Sequence, residues 1–247
     1  MTAAAAFDRI AAAYDAQWTD TPAGRAQRDL VWHHVDQLYH GGDAILDIGC
    51  GTGEDAAHFA ARGVRVHAID VSAEMIRVAS RRGGFTTAVA SAEEITGPDA
   101  AYDGAISNFG ALNCVADLSD VARHLARVVR PGGYVALCVI GRFCLWESLY
   151  YAARLQFRKA LRRVTAKPVM TSMGMPVYYA TVRDLRAAFA PAFVCERWMG
   201  IGLLVPPSYV HLRRGVVRVL AALDRFLAGL PLLRGMADHR LLILVRK

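Results

Sequence analysis

Three glycines, Gly49, Gly51 and Gly53, stand at alternate positions between an apolar run containing Asp47 and a helix-like pattern opened by Glu54 and Asp55. Glycines so spaced allow a tight turn, positive φ angles and close approach of a ligand to the backbone. A strand–turn–helix junction of this kind commonly seats a phosphate. The dinucleotide fingerprint, however, would place its third glycine at position 54, where Glu54 stands. Glu54 and Asp55 together would repel a pyrophosphate, at a cost on the order of a kcal/mol in a partly buried site. Asp47 suits a cationic ammonium or sulfonium. Asp70, 21 residues after Gly49, stands where an acid accepts hydrogen bonds from ribose hydroxyls in this architecture. The ligand chemistry these residues describe is a nucleoside with a cationic, phosphate-free tail.

The elements that must hold these residues alternate. Candidate strands at 44–48, 65–70, 85–90, 102–108 and 134–140 are separated by helix patterns at 54–61, 72–82 and 117–129. Several of the strands are nearly continuous apolar runs, as parallel strands covered on both faces should be. Pro131, Gly132 and Gly133 stop the third helix and lead into the next strand. The spacing then predicts one long helix over 145–167, with Tyr150, Ala153, Phe157, Leu161 and Val164 on one face and Arg154, Arg158 and Arg162 on another. A helix at 181–190, a strand at 193–199, a helix over 208–230 and a strand at 240–246 complete the chain. The pattern is that of one α/β domain with insertions in its later part.

Hydrophobic residues make up 54% of the 247, and the mean hydropathy is +0.24. No apolar run approaches the roughly 20 residues of a spanning helix. Asp8 interrupts the position of a secretory signal's apolar core, and the Arg-rich character of a transit peptide is missing, so a cytoplasmic location is expected. Cys50, Cys114, Cys138, Cys144 and Cys195 are odd in number and form no Cys-x-x-Cys pair, which predicts reduced thiols and no metal site. Charge is unevenly spread. Residues 1–141 hold 11 Arg and 17 acids, a net −6, whereas 142–247 hold 18 Lys or Arg and 5 acids, a net +13. The second half therefore suits something anionic: a membrane surface, an acidic partner or a negative substrate.

"LDIGCGTG", with "AIDVSAEMI", "ASAEEI", "YDGAISNFGAL" and "LARVVRPGGYVAL", resembles the ordered motif series of class I S-adenosylmethionine-dependent methyltransferases. "FDRIAAAYDAQW" is similar to the amino-terminal lid helix of their small-molecule subgroup, and the likeness extends over roughly residues 7–140. The resemblance implies a doubly wound, mainly parallel seven-stranded sheet of Rossmann-like type in one domain, 1–247. It implies lid helices in 1–40 and a cofactor-binding core at 41–141, while 142–178 and 200–238 depart from the family's core and are expected to be helical insertions that cap an acceptor pocket. By the same resemblance Asp47, Gly49, Gly51 and Gly53 hold the methionine end of S-adenosylmethionine, with Cys50 at a variable position. Asp70 binds the ribose, Val71 and Met75 flank the adenine, and Ala92 and Glu93 meet its edge. Asn108 contacts the methionine backbone, Phe109 lies near the transferred methyl, and Tyr14 and Arg28 close from the lid. Glu93 also fits, less well, a helix N-terminal acid, and Arg28 and Trp18 equally suit surface or packing roles.

Methyl transfer from a sulfonium requires alignment and exclusion of water, and a base only where the acceptor must lose a proton. Candidate bases are His211, His239, Tyr178, Tyr179 and Glu147; each also fits a plain polar or packing role. The insertions leave the carboxyl-terminal side of the sheet and are rich in aromatic and aliphatic residues, which suggests a bulky, largely apolar small-molecule acceptor. The basic segment 145–167 has three readings: a solvated face, a contact with anionic membrane, or a surface for nucleic acid or an acidic carrier. Nucleic acid is the weakest of them, because no stacking aromatics are interleaved with the charge. Pro206 and Pro207 come too late for the Asn-Pro-Pro-Tyr loop of amino-methylating nucleic-acid enzymes and read as a helix entry, with Ser208 as N-cap. The expected function is transfer of a methyl group from S-adenosylmethionine, leaving S-adenosylhomocysteine, to an O, N or C atom of an apolar acceptor. The alternatives are an RNA methyltransferase and a non-catalytic membrane or assembly protein of the same fold.

Overall fold

Ile45, Leu46, Ala105 and Ile106 are fully buried because their strands run through the middle of a sheet covered on both faces. In the computed structural model, which describes residues 1–164 and 167–247, the strands are β1 (Ala44–Ile48), β2 (Arg65–Asp70), β3 (Thr86–Val89), β4 (Tyr102–Ser107), β5 (Val129–Ile140), β6 (Val169–Met170), β7 (Pro176–Val177), β8 (Phe193–Ile201) and β9 (His239–Arg246). Seven of them form one sheet in the order β3-β2-β1-β4-β5-β9-β8, and β6 and β7 form a small separate hairpin. Pairing is parallel from β3 to β5, and β9 runs antiparallel between β5 and β8.

The helices are α1 (Ala3–Asp8), α2 (Pro22–Val35), α3 (Glu54–Ala61), α4 (Ala73–Ser80), α5 (Leu118–Val128), α6 (Leu145–Ala152), α7 (Phe157–Ala160), α8 (Val182–Phe189) and α9 (Arg214–Leu227). Leu30, Val31, Phe59, Ala79 and Val217, from α2, α3, α4 and α9, pack on one face of the sheet. Val121, Leu125, Leu185 and Phe189, from α5 and α8, pack on the other. The sheet is thus doubly wound. Helix starts follow their caps: Thr21 accepts from the Gly24 amide ahead of Pro22, Ser72 accepts from Met75, and Thr181 and Asp184 close a reciprocal capping box.

Two expected elements differ. The single helix over 145–167 is instead α6, a reversal, α7 and a short 3-10 turn at Arg162–Val164; positions 165 and 166 lie outside the described residues. Leu155 at the reversal has φ 57, a left-handed conformation that ends a helix. Ser148 Oγ donates to the Ala160 carbonyl, and Arg162 and Arg163 pair with Glu147 of α6, so the second piece folds back over the first. Phe157, Leu161 and Val164, expected on one helix face with Tyr150 and Ala153, are exposed. The last helix begins at Arg214 rather than Ser208, with Arg213 as N-cap, so Pro206 and Pro207 belong to a loop.

Candidate cofactor and acceptor site

Asp47, Gly49, Asp70 and Asn108 come together because β1, β2 and β4 all end at the same edge of the sheet, the edge where open α/β folds place their ligands. Gly49, Gly51 and Gly53 all have positive φ. A Cβ on Gly49 would lie 2.2 Å from that of Ala111, and one on Gly53 would lie 2.8 Å from the Phe85 ring. At Gly51 it would meet open space, so this glycine faces the ligand side. The Asp70 carboxylate is held by two amides, Gly51 N–H to Oδ2 at 2.9 Å and Ser72 N–H to Oδ1 at 2.8 Å. Burial pushes its pKa up against those two bonds.

The two acids that open α3 do not stand as unpaired repulsive charge, contrary to the argument from sequence. Glu54 is met by Arg25 at 2.6 Å and Arg82 at 2.7 Å. Asp55 accepts from Arg28, from Trp32 Nε1 at 2.7 Å and from Asn108 Nδ2 at 3.2 Å. Their neutralisation comes from elements distant in sequence. What remains is an imbalance beneath the loop: Asp47, Asp55 and Asp70 are buried, with Arg28 the buried guanidinium beside them. Burial, reinforced by the Asp55 carboxylate, pushes Asp47 well above the usual carboxylate range. Asp47 Oδ2 and Arg28 Nε are buried and unpaired among the described residues. A ligand carrying both an ammonium and a carboxylate, as the amino-acid end of S-adenosylmethionine does, matches this pair of charges.

The amino-terminal segment is latched over the loop by two acids that the sequence reading did not single out. Asp8 accepts from Ser72 Oγ at 2.6 Å and from the Glu74 amide at 3.1 Å. Asp15 accepts from Thr52 Oγ1 and pairs with Arg82, each at 2.7 Å. No local spacing signals either contact, since the partners lie 37 or more residues away. Phe7, Ile10, Tyr14 and Trp18 consequently form part of a cavity wall.

That cavity has a volume of about 570 Å³, within the range of small-molecule sites. Of the residues expected at the cofactor, Tyr14, Arg28, Gly49, Gly51, Asp70 and Val71 line it, as do Met75, Ala92, Glu93, Asn108 and Phe109. Asp47, Cys50 and Gly53 do not: Asp47 is buried below the loop, the Cys50 side chain is enclosed, and Gly53 caps α3 against Ala79 and Phe85. Asp47 is therefore not a wall residue of the cavity. Phe109, with φ 49, occupies a backbone region rare for bulky residues. Its ring stands 4.8 Å from the Arg28 guanidinium and edge-on to His239, with centroids 5.2 Å apart.

The far wall comes from the insertions, with Met170, Met173, Met175 and Tyr179 around the β6–β7 hairpin and Tyr151 and Tyr209 beside them. Asn113 ties this hairpin to the sheet, donating to the carbonyls of Ile140 at 3.2 Å and Tyr178 at 2.7 Å. A buried ion network stands behind it. Glu147 accepts from Arg162 and Arg163, and Arg163 also donates to Asp238 at 2.8 Å. Burial alone would raise the Glu147 carboxyl, but the two guanidiniums bring it below its ordinary value. Of the candidate bases, Glu147, Tyr179 and His239 line the cavity; Tyr178 and the exposed His211 do not. Burial lowers the pKa of His239, against the pull of Asp238, which keeps the imidazole neutral at neutral pH.

A seven-stranded doubly wound sheet with one antiparallel strand, a glycine loop at its carboxyl edge and an acid ending the next strand is the architecture of the class I methyltransferase fold. Comparison with known proteins agrees. Residues 45–133 match a family described as a methyltransferase domain. The malonyl-[acyl-carrier protein] O-methyltransferase of Serratia marcescens is 34% identical, over 58% of this chain and 54% of its own length. The demethylmenaquinone methyltransferase of Thermobifida fusca is 35% identical, over 55% and 59% respectively. An S-adenosylmethionine-dependent methyltransferase from Mesorhizobium loti superposes with a TM-score of 0.64 at 19% identity, over 88% of this chain and 98% of that one. The chain spans about half the length of the curated relatives it matches. Together the matched methyltransferase domain at 45–133 and the superposed structure give this chain the methyltransferase fold.

Proposed function

We propose that the protein transfers a methyl group from S-adenosylmethionine to an O, N or C atom of a bulky, largely apolar small molecule. The observation that carries this reading is a single cavity that joins Gly49, Gly51 and Asp70 to the methionines and tyrosines of the insertions, so that donor and acceptor would share one enclosed space. The cofactor supplies an electrophilic methyl on a good leaving group. The chain's own residues position and enclose. Asp70 presents carboxylate lone pairs to the ribose hydroxyls, Arg28 offers its unpaired Nε toward the cofactor carboxylate, and Asp47 adds the negative potential that suits the cationic end. Tyr14, Phe109 and the latched amino-terminal segment exclude water from the transfer region. His239, neutral and on the wall beside Phe109, is the side chain best placed to take a proton from an O–H or N–H acceptor. The names of the relatives, an acyl-carrier-bound malonyl group and a demethylmenaquinone among them, are consistent with small-molecule acceptors but do not select one.

Titration calorimetry with S-adenosylhomocysteine tests the cofactor half, and mass analysis of products from labelled S-adenosylmethionine and cell extract tests the acceptor half. Binding to S-adenosylhomocysteine and a mass gain on an apolar metabolite are expected. Folded protein that binds NAD more tightly than S-adenosylhomocysteine would overturn the assignment, and label appearing in RNA would move the reaction to nucleic acid.

A further inference from the structure

Helix α9 buries Val217, Asp224 and the flank of Ala221 against the protein, yet it carries a second apolar surface that nothing among the described residues covers. Val216, Val219, Leu223 and Phe226 follow one another at steps of three and four residues, so they share one face of the helix. All four are exposed, Phe226 to 78%, and the chain beyond adds Leu230 and Leu232, the latter 90% exposed. A solvent-facing helix side ordinarily carries polar residues; here the apolar residues continue for four helical positions and past the helix end.

The exposed charge of α9 itself has one sign, and Asp29 of the neighbouring α2 stands beside Arg218 and Arg225. Arg213, Arg214, Arg218 and Arg225 are exposed along the same helix and its entry. Between residues 205 and 237 Asp224 is the sole acid in the sequence, and it is turned inward, accepting from the amides of Leu203 at 3.1 Å and Val205 at 3.2 Å. The exposed surface of α9 is thus aliphatic and aromatic with an arginine border and no carboxylate of its own. Two copies mated through this face would bring their arginines together with no carboxylate of α9 to pair them, Asp29 of α2 being the nearby acid. An anionic lipid surface satisfies both halves of the face at once, because its acyl region takes the apolar stripe and its headgroups take the guanidiniums.

We propose that α9 is an interfacial helix that docks the protein on anionic bilayers, with Val216, Val219, Leu223 and Phe226 entering the acyl boundary and the flanking arginines meeting lipid headgroups. The basic stretch 145–167 also keeps Phe157, Arg158, Lys159 and Leu161 exposed, but part of its charge is already engaged. In that stretch Arg162 turns inward to Glu147, and Arg154 lies over the Tyr150 ring at 3.6 Å. The docking surface stands whether or not the cavity methylates an apolar molecule. The two are connected in space, since Pro207, Ser208 and Tyr209 on the cavity wall lead into α9 within a few residues.

Co-sedimentation of the full chain with vesicles tests the proposal. The parent protein is expected to pellet with vesicles of mixed phosphatidylglycerol and phosphatidylcholine and to remain in solution with pure phosphatidylcholine. Leu223→Ser combined with Phe226→Ser, both at exposed positions, is expected to cut the partition coefficient by about tenfold or more, as is Arg214→Gln combined with Arg218→Gln. Unchanged circular dichroism and melting would show that the variants are folded. The proposal is overturned if the parent does not bind the anionic vesicles, if the serine variant binds as the parent does, or if Phe157→Ser in the insertion abolishes binding while the α9 variants keep it. A concentration-dependent dimer that the serine variant dissociates, with vesicle binding absent, would assign the face to a second copy of the chain.

Discussion

Asp47→Asn should make the ligand-free protein more stable and the cofactor complex weaker. The Asp47 carboxyl is 1% exposed, with one oxygen unpaired among the described residues and the Asp55 and Asp70 carboxylates as neighbours. Its folded-state pKa stands well above the value of about 3.9 for an unfolded chain. The folded protein therefore holds this proton to higher pH than the unfolded chain does, so stability falls as pH rises from about 4 up to the folded value and is level beyond it. The amide of asparagine keeps the shape and cannot ionise. At pH 8 the variant should be the more stable by about 1.4 kcal/mol for each pH unit over which the folded protein holds a proton that the unfolded chain has lost, and for a chain of this size each kcal/mol raises the melting temperature by about 2–4 °C. Near pH 3, where the carboxyl is protonated in both states, the gain should vanish. Thermal unfolding of parent and variant across this range, without ligand, reads the difference directly and cancels the titration of Asp70 and other groups. Calorimetry should show S-adenosylmethionine binding weakened by about 1–2 kcal/mol, because the negative potential facing its cationic end is reduced. A variant less stable than the parent at pH 8, or a gain that does not change with pH, would refute the argument that this carboxylate is buried at a cost and retained for the ligand.

Asp70→Ala should weaken S-adenosylmethionine binding by about 1–3 kcal/mol through loss of charge-assisted bonds to the ribose, and calorimetry that finds unchanged affinity would remove Asp70 from the site. Asp15→Ala frees Thr52 and Arg82 from the amino-terminal segment and should speed amide exchange over residues 3–19, with cofactor affinity falling by about 0.5–1.5 kcal/mol; equal protection in both proteins would show that the segment is held elsewhere. Glu147→Gln leaves Arg163 with Asp238 as its remaining carboxylate partner and should cost about 3 kcal/mol, the low end for a broken buried pair. Because the Glu147 carboxyl lies below its ordinary value, its contribution is complete above about pH 4.3 and is lost as pH falls through the folded value. The parent should therefore converge on the variant in acid, as followed by proteolysis of the 142–178 insertion.

The loop and its strand were legible because the constraints on them are local. Gly49, Gly51 and Gly53 are needed where the backbone turns through positive φ, and the alternating apolar runs give β1 and β2 to the residue. Asp70 follows from strand length: it ends β2, and its carboxylate is fixed by the amides of Gly51 and Ser72. The acids at 54 and 55 carried a different lesson. Their type was visible, but their effect on a ligand depended on Arg25, Arg28 and Arg82, which arrive from α2 and from the segment after α4. The 145–167 segment failed for a related reason. Its periodicity fits a helix, and the reversal at Leu155 is set by Glu147 drawing Arg162 and Arg163 back over α6, a preference that no window of sequence contains.

The sequence by itself determined the alternation of strands and helices, the glycine turn and the acid that ends β2 beside it, since each depends on backbone conformation and spacing within one βαβ unit. Tertiary structure alone decided which charges stay unpaired under the loop, which residues wall the acceptor side, and that α9 shows an apolar face to the outside. Those are properties of pairing and burial. They depend on what a distant segment brings to the same place, and a one-dimensional pattern records only what each residue could offer, not what it meets.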